Sequence, residues 1–407
     1  MNGALSHLTV LDLSRVLAGP WAGQALADLG ADVIKIERPG TGDDTRGWGP
    51  PFLRDAQGKE GADAAYYLCA NRNKKSVTVD FTTPEGQAIV RSLARDSDVV
   101  LENFKVGGLE AYGLDYASLR AVNPRLIYCS ITGFGQTGPY AARAGYDLLV
   151  QAMGGLMSIT GRPDGDPAAG PQKAGVAVTD ILTGLYATIG ILAALSHRER
   201  TGIGQHIDLG LLDVQVACLA NQAMNYLVSG KAPRRSGNAH PNLVPYQDFP
   251  TSDGYMVIAV GSETQFARLC TVFGLEELAA DPRFESNKQR VANRRELIDK
   301  LCSLTVTHST AHWVAALEAV GVPAGPINSL DAVFDDPQVR ARGMRVDLPH
   351  PVAGSVSLVA NPLRLSETPV TYRSSPPSLG AHTDEVLTGR LDMSAADIEG
   401  LRAKGVI

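Results

Sequence analysis

The chain has 407 residues, 44% apolar and 20% charged, with a net charge of -6. That length predicts more than one core, and that balance excludes disordered and low-complexity architectures. The mild, dispersed negative charge argues against nucleic acid as a partner, because a phosphate backbone calls for a concentrated basic face.

Leu8 to Leu13 (LTVLDL) reads as a buried strand, Pro20 to Leu29 as a helix and Val33 to Glu37 as a second strand. Strand, helix and strand at this spacing predict a parallel βαβ unit. Ser76–Asp80, Asp98–Glu102 and Leu126–Thr132 read as further strands, and Pro84–Arg95 as a helix, which extends the pattern to a doubly wound α/β domain. Thr179 to Leu195 predicts a long helix, apolar nearly all round and therefore buried. Leu211 to Val228 predicts another. Residues 229–251, rich in Gly, Pro, Asn and Arg, read as a loop before the strand Tyr255–Val260. We expect 1–200 to be the N-terminal part of a large domain, 201–229 a linking helix, 230–330 a smaller α/β domain and 331–407 a return segment, whose tail from Ser394 is an amphipathic helix.

Cys69, Cys129, Cys218, Cys270 and Cys302 are widely spaced, with no Cys-x-x-Cys pair. This argues against a disulfide framework or a zinc site and fits a reducing cytoplasm. Met1 to Leu13 lacks a basic region followed by an apolar run, and no stretch reads as approaching the ~20 apolar residues of a membrane span. The expectation is a cytoplasmic protein without a membrane or metal partner.

The first βα turn, Ser14 to Pro20, is not G-x-G-x-x-G, so a dinucleotide fingerprint is missing. Arg38 directly follows the second strand. It reads as a surface residue or as a phosphate ligand near the first helix N-terminus. His308 and His312 are four apart, but Ser309 and Thr310 between them read as helix caps rather than metal-site neighbours. The run from Thr160 to Asp166 reads as a surface turn. His240 lies in a Gly/Asn/Pro loop and reads as a turn residue or a functional one. Asp180 opens the long apolar helix. It reads as a first-turn acid, or as a carboxylate nucleophile held ionised by the helix dipole beside an apolar wall.

Several stretches together resemble the class III CoA-transferases, the family of formyl-CoA transferase and the carnitine CoA-transferases. They are Val16 to Pro20, Gly30 to Pro39, Gly42 to Arg46, Asn71 to Ser76, Val100 to Phe104, Asp180 to Gly184 and Leu379 to Thr383. Within the family, Tyr128 to Gly133, Gln136 to Pro139 and Val244 to Gln247 are most similar to the succinyl-CoA:glutarate type. The resemblance implies an interlocked dimer of two ring-shaped chains. Each would have a Rossmann-like large domain built from both chain ends and a smaller α/β domain. It also implies Asp180 as the catalytic nucleophile, and coenzyme A contacts at Leu17, Ala18, Arg38, Val79, Asp80, Asn103 and Phe104. CoA thioesters would be substrates, with no tightly bound cofactor. His240 to Val244 stand where formyl-CoA transferase has a glycine run, and Ala111 where it has an arginine.

The implied reaction passes from donor thioester to mixed anhydride to an aspartyl-CoA thioester, which the acceptor carboxylate then attacks. Backbone N–H groups near His240 are candidates for the oxyanion. For a dicarboxylate acceptor such as glutarate, with succinyl-CoA as donor, a cation must hold the second carboxylate. Arg46, Arg72 and Arg143 are the candidates. Racemisation of 2-methylacyl-CoA is the alternative chemistry, and a non-catalytic acyl-CoA-binding protein the alternative class. Racemases of this fold have a His where this chain has Tyr146, a poor base near neutral pH, so Tyr146 is expected to line the substrate site instead.

Overall fold

Six parallel strands form the central sheet: β1 (Thr9–Asp12), β2 (Asp32–Glu37), β3 (Lys74–Thr78), β4 (Val99–Glu102), β5 (Ile127–Thr132) and β6 (His206–Gly210). Their spatial order is β3-β2-β1-β4-β5-β6. The structure, a computed structural model, describes residues 3–407. The strands read as continuous apolar runs because both faces of the sheet are covered. On one face Leu11, Ile34 and Val100 meet Ile89, Val90 and Leu93 of the Pro84–Arg95 helix. On the other, Val10, Val33, Val99 and Ile127 meet Ala22 and Leu26 of the Ala18–Asp28 helix, and Ala187 and Ile191 of the long helix. The strand order reverses between β1 and β4. In open α/β sheets a ligand crevice opens at such a point, beyond the C-terminal strand ends.

The Pro84–Arg95 helix has the expected bounds, with the Thr83 side chain capping it. The first helix begins at Ala18, two residues before the expected start, because Pro20 is tolerated anywhere in a first turn, where its missing N–H has no partner to lose. The long helix spans Val178–Thr201. By length and composition it could cross a membrane, which corrects the expectation that no stretch approaches that limit. It is also one-sided. Thr183, Gly184, Ala187, Ile191 and Ala194 are buried at helical spacing, whereas Leu185, Tyr186 and Leu192 are exposed and Ile189 is 60% exposed. The helix expected over Leu211–Val228 is two, Leu211–Ala217 and Ala220–Ser229. Ala220 has φ 44°, a left-handed backbone that ends one hydrogen-bond ladder before the next begins.

The chain divides into two compact units. The first gathers Met1–Leu156, Ala174–Met224 and Arg340–Ile407. Both chain ends meet in it: Asp80 N donates to Val406 O at 2.7 Å, and His382 N to Ser76 O at 2.9 Å. The tail helix Ala395–Ala403 starts from a capping box of Ser394 and Asp397. The second unit gathers Met157–Lys173 and Asn225–Val339. Its three-stranded antiparallel sheet, Tyr246–Pro250, Tyr255–Ala259 and Ala324–Pro326, carries Phe249 and Ile258 into a core with Phe266, Leu297, Trp313 and Leu317. Residues 157–173 were expected in the large domain. Gly237 N bonds to Gly161 O at 3.1 Å and Arg235 pairs with Asp164, which ties that stretch to this unit instead. Ser309 caps the Thr310–Ala319 helix, and His308 and His312 stack at 4.2 Å between ring centroids.

Candidate active site

Asp180 is the third residue of the long helix, whose first donors are already engaged. Asp147 Oδ1 accepts the N–H of Thr179 at 2.9 Å and of Asp180 at 3.3 Å, and its Oδ2 accepts from Gln151 Nε2 at 2.6 Å. The Asp180 side chain is 9% exposed and accepts no hydrogen bond. Burial first, and the Asp147 charge second, push its pKa up to about 7. This corrects the expectation that the helix dipole holds Asp180 ionised, because Asp147 takes the dipole's leading donors and adds a like charge. The result is a carboxylate of unusual basicity, partly ionised near neutral pH and free of partners, which suits a nucleophile.

Asp180 lines a hollow at the C-terminal end of β1, β4 and β5, together with Leu17, Ala18, Asn103, Phe104, Arg143 and Tyr146. A second hollow is lined by Arg38, Val79, Asp80 and Phe104. Arg15, Asp44 and Phe104 belong to both, so the two form one groove at the reversal point of the sheet. Asn103 clamps the first βα turn, accepting from Arg15 N at 2.8 Å and donating to Arg15 O at 2.6 Å. The Arg15 guanidinium lies 5.0 Å over the Phe104 ring and 3.2 Å from Asp44. A long anionic ligand could lie along this groove with one end at Arg38 and the other at Asp180.

The family model for CoA-transferase family III matches residues 5–383. The chain belongs to this family. It is 56% identical over 383 residues to a succinate–glutarate CoA-transferase of Agrobacterium fabrum, a match covering 94% of each chain. It is 45% identical over 403 residues to the human succinyl-CoA:glutarate CoA-transferase, covering 99% of this chain and 90% of that one. A crystal structure of a CaiB/BaiF family protein from Brucella suis superposes with a TM-score of 0.85 at 53% identity, covering 96% of this chain and all of that one. The protein is thus a CoA-transferase, and CoA thioesters are its substrates.

Two of the three arginines proposed for a substrate carboxylate are committed elsewhere. Arg46 is buried, bonded to Glu37 through Nε at 2.9 Å and Nη2 at 2.8 Å, to Asp63 at 2.7 Å and to Pro377 O at 3.1 Å. Arg72 is buried against Asp28 and donates to Val359 O at 2.7 Å. Their donors are spent on the transferase's own acids, so neither can grip a ligand. Arg143 is the exception. It is exposed, lines the Asp180 hollow and rests over Tyr140 and Phe134, 4.6 and 5.2 Å from their ring centroids. Tyr146 lines the same hollow and is 66% exposed. His240 lies in the second unit, where its Nδ1 accepts from Asn242 N at 3.1 Å and its ring is 5.1 Å from Tyr246. Sequence reading missed Arg15 and the Asp147 cap. Arg15 carried a signal, its place in the first βα turn. Asp147 carried none, because a cap from the first turn of another helix, Asp147–Met153, leaves no local spacing.

Proposed function

We propose that this transferase moves CoA from succinyl-CoA to glutarate through an aspartyl-CoA thioester on Asp180. The observation that carries the reading is an unpartnered, buried carboxylate at one end of a groove whose other end holds Arg38. Asp180 attacks the donor thioester carbon, and CoA leaves as thiolate. The thiolate attacks the Asp180 carbonyl of the resulting anhydride, expelling succinate and leaving the aspartyl thioester. Glutarate attacks that thioester, and the mirrored steps deliver glutaryl-CoA. Positioning and electrostatics supply the rate, since the nucleophile is weak. Arg38 binds a phosphate of CoA, and Arg143 holds the second carboxylate of the acceptor. The names of the Agrobacterium and human relatives support the substrate pair. The apolar face of the long helix, with Leu185, Tyr186, Ile189 and Leu192 exposed, supports an interlocked homodimer that covers it.

The test incubates the enzyme with succinyl-CoA and hydroxylamine, then with a panel of acids. Wild type should yield a hydroxamate on Asp180 in peptide mass spectra, whereas Asp180→Ala should yield none and lose at least about a thousandfold in turnover. Glutarate should exceed butyrate as acceptor by more than tenfold, because a missing carboxylate leaves Arg143 unpaired. Equal efficiency of butyrate and glutarate would remove the second-carboxylate site.

A further inference from the structure

The first helix enters the Asp180 hollow with its leading donors unused. Its N-cap residue, Leu17, offers no capping side chain, and its first turn holds no acid. The N–H groups of Leu17 and Ala18 meet no acceptor in the protein, although these residues are only 5% and 4% exposed. Buried backbone donors are nearly always satisfied, so two adjacent orphans call for an acceptor that arrives with a ligand. The same hollow contains a second unsatisfied group, the Asp180 carboxylate.

The preceding residue shows how the donors are aimed. Val16 has φ 71°, a left-handed backbone that a β-branched residue adopts only under constraint. Its own N–H turns aside to Asp43 Oδ1 at 3.3 Å, and Asp43 is fixed by Lys35 at 2.9 Å. The next two N–H groups are left at the helix mouth. Gly184, one turn beyond Asp180, brings the two helices together: a Cβ there would lie 2.7 Å from Ala18 O.

We propose that the backbone N–H groups of Leu17 and Ala18 form the oxyanion hole for the acyl carbonyl that Asp180 attacks. This rests on the reading of Asp180 as nucleophile. When the Asp180 oxygen bonds to the thioester carbon, the carbonyl π pair moves onto oxygen, and the two N–H groups hold that charge. The pair then returns, the C–S bond breaks and thiolate leaves with the sulfur electrons. No proton is consumed. The same donors serve the last adduct in reverse, when thiolate attacks the acceptor's anhydride carbonyl. Such donors are preorganised and water-poor, the condition in which oxyanion stabilisation is large.

Backbone esters test this, because an ester oxygen replaces one N–H and keeps the side chain. Nonsense suppression with hydroxy acids would give a Leu17→leucic acid ester and, separately, an Ala18→lactic acid ester. The Leu17 ester weakens no hydrogen bond of the fold, since Val16 O accepts none. The Ala18 ester also weakens Leu17 O, which accepts Trp21 N at 2.7 Å. A Trp21→indolelactic acid ester, which removes that bond and also weakens Pro20 O, the acceptor of Lys74 Nζ at 2.8 Å, is the control and disturbs the fold more than the Ala18 ester does. Activity is read as exchange of labelled succinate into succinyl-CoA. Each of the first two esters should lower kcat on the order of 100-fold, with KM for succinyl-CoA within about threefold, while the Trp21 ester changes kcat by less than about fivefold. If both esters keep kcat within threefold of the alanine- and leucine-suppressed enzyme, the hole is elsewhere. A Trp21 ester as damaging as the others would make the role structural and overturn the proposal. Asp180→Ala runs alongside: exchange persisting there overturns the nucleophile itself, whereas its loss beside active esters overturns only the hole.

Discussion

Beneath the groove, Asp12, Glu37 and Asp43 are buried beside cations: Lys74 lies 2.9 Å from Asp12, Arg46 binds Glu37 by two donors, and Lys35 lies 2.9 Å from Asp43. At the groove end, Asp180 is also buried, but its charged neighbour is another acid. Burial pushes every one of these carboxylates up. In the lower group the cations and hydrogen bonds outweigh it, so Asp12 and Glu37 titrate below the ordinary range and Asp43 falls to about 2. At Asp180 nothing outweighs it, and the pKa rises to about 7. One group holds loops in place; the other is the proposed nucleophile. The difference is whether a partner of opposite charge was supplied. Glu102 limits this rule. Burial raises it to about 7 as well, yet it accepts Phe104 N at 2.8 Å and lies outside the hollow that Asp180 lines. A raised acid therefore marks a reaction centre only where a substrate carbonyl can reach it.

The largest effect is expected in the paired group. Arg46→Met leaves Glu37 and Asp63 without their shared cation and leaves Pro377 O, which ties the C-terminal segment to the N-terminal one, with only the Tyr67 hydroxyl at 3.3 Å as donor. Removing one partner of a buried ion pair typically destabilises by roughly 3–5 kcal/mol. Urea unfolding should show that loss, while the remaining folded enzyme keeps its preference for glutarate over butyrate. An unchanged midpoint would mean that the network does not hold the groove. A selective loss with dicarboxylates would restore Arg46 as a substrate ligand.

Much of this contrast was legible in the sequence. Apolar runs separated by helical periods marked five of the six sheet strands. The sixth, His206–Gly210, was absorbed into the linker because HIDLG alternates and carries two polar residues, while its pairing with β5 is remote. Asp180 and the groove residues came from the family resemblance, not from spacing, since a first-turn acid is an ordinary feature of helices. Arg46 and Arg72 looked like binding residues because an arginine in a loop shows its charge but not its burial. Their acids, Glu37 and Asp28, are 9 and 44 residues away along the chain. The one-sided face of the long helix was also hidden, because its composition is apolar on both sides.

A smaller effect, of opposite sign, is expected from Asp180→Asn. The native state holds the Asp180 proton up to about pH 7, whereas the unfolded chain releases it near 3.8. That proton therefore favours the fold fully below pH 4, the advantage fades as pH rises from 4 to 7, and above 7 the ionised buried acid is a cost. Asn stays neutral and escapes it. At pH 8 the Asn variant should be more stable than wild type by on the order of 3 kcal/mol, with no difference at pH 4, when both are unfolded in urea. Equal stability at both pH values would show that Asp180 is solvated or paired in the native enzyme, and the comparison with Asp12 and Asp43 would fail.

The finest test separates the two causes of the Asp180 shift. Burial is the larger and Asp147 the smaller. Asp147→Asn keeps a side-chain oxygen for the N–H groups of Thr179 and Asp180, so the helix stays capped, but it removes the like charge. The Asp180 carboxyl should then titrate lower by roughly one unit, about 1.4 kcal/mol. On the proposed mechanism the ionised form attacks, so the acid limb of kcat/KM against pH should move down by the same unit, and relative activity near pH 6 should rise. The plateau above pH 8 should fall severalfold, because a less basic carboxylate is a poorer nucleophile. These two changes have opposite signs, and loss of packing would not produce both, since it lowers activity at every pH. If the limb stays in place, burial alone sets the reactivity of Asp180 and Asp147 is only a cap. If the limb moves up, the charge on Asp147 was stabilising the anion through a bridging donor, and the two acids are partners rather than rivals.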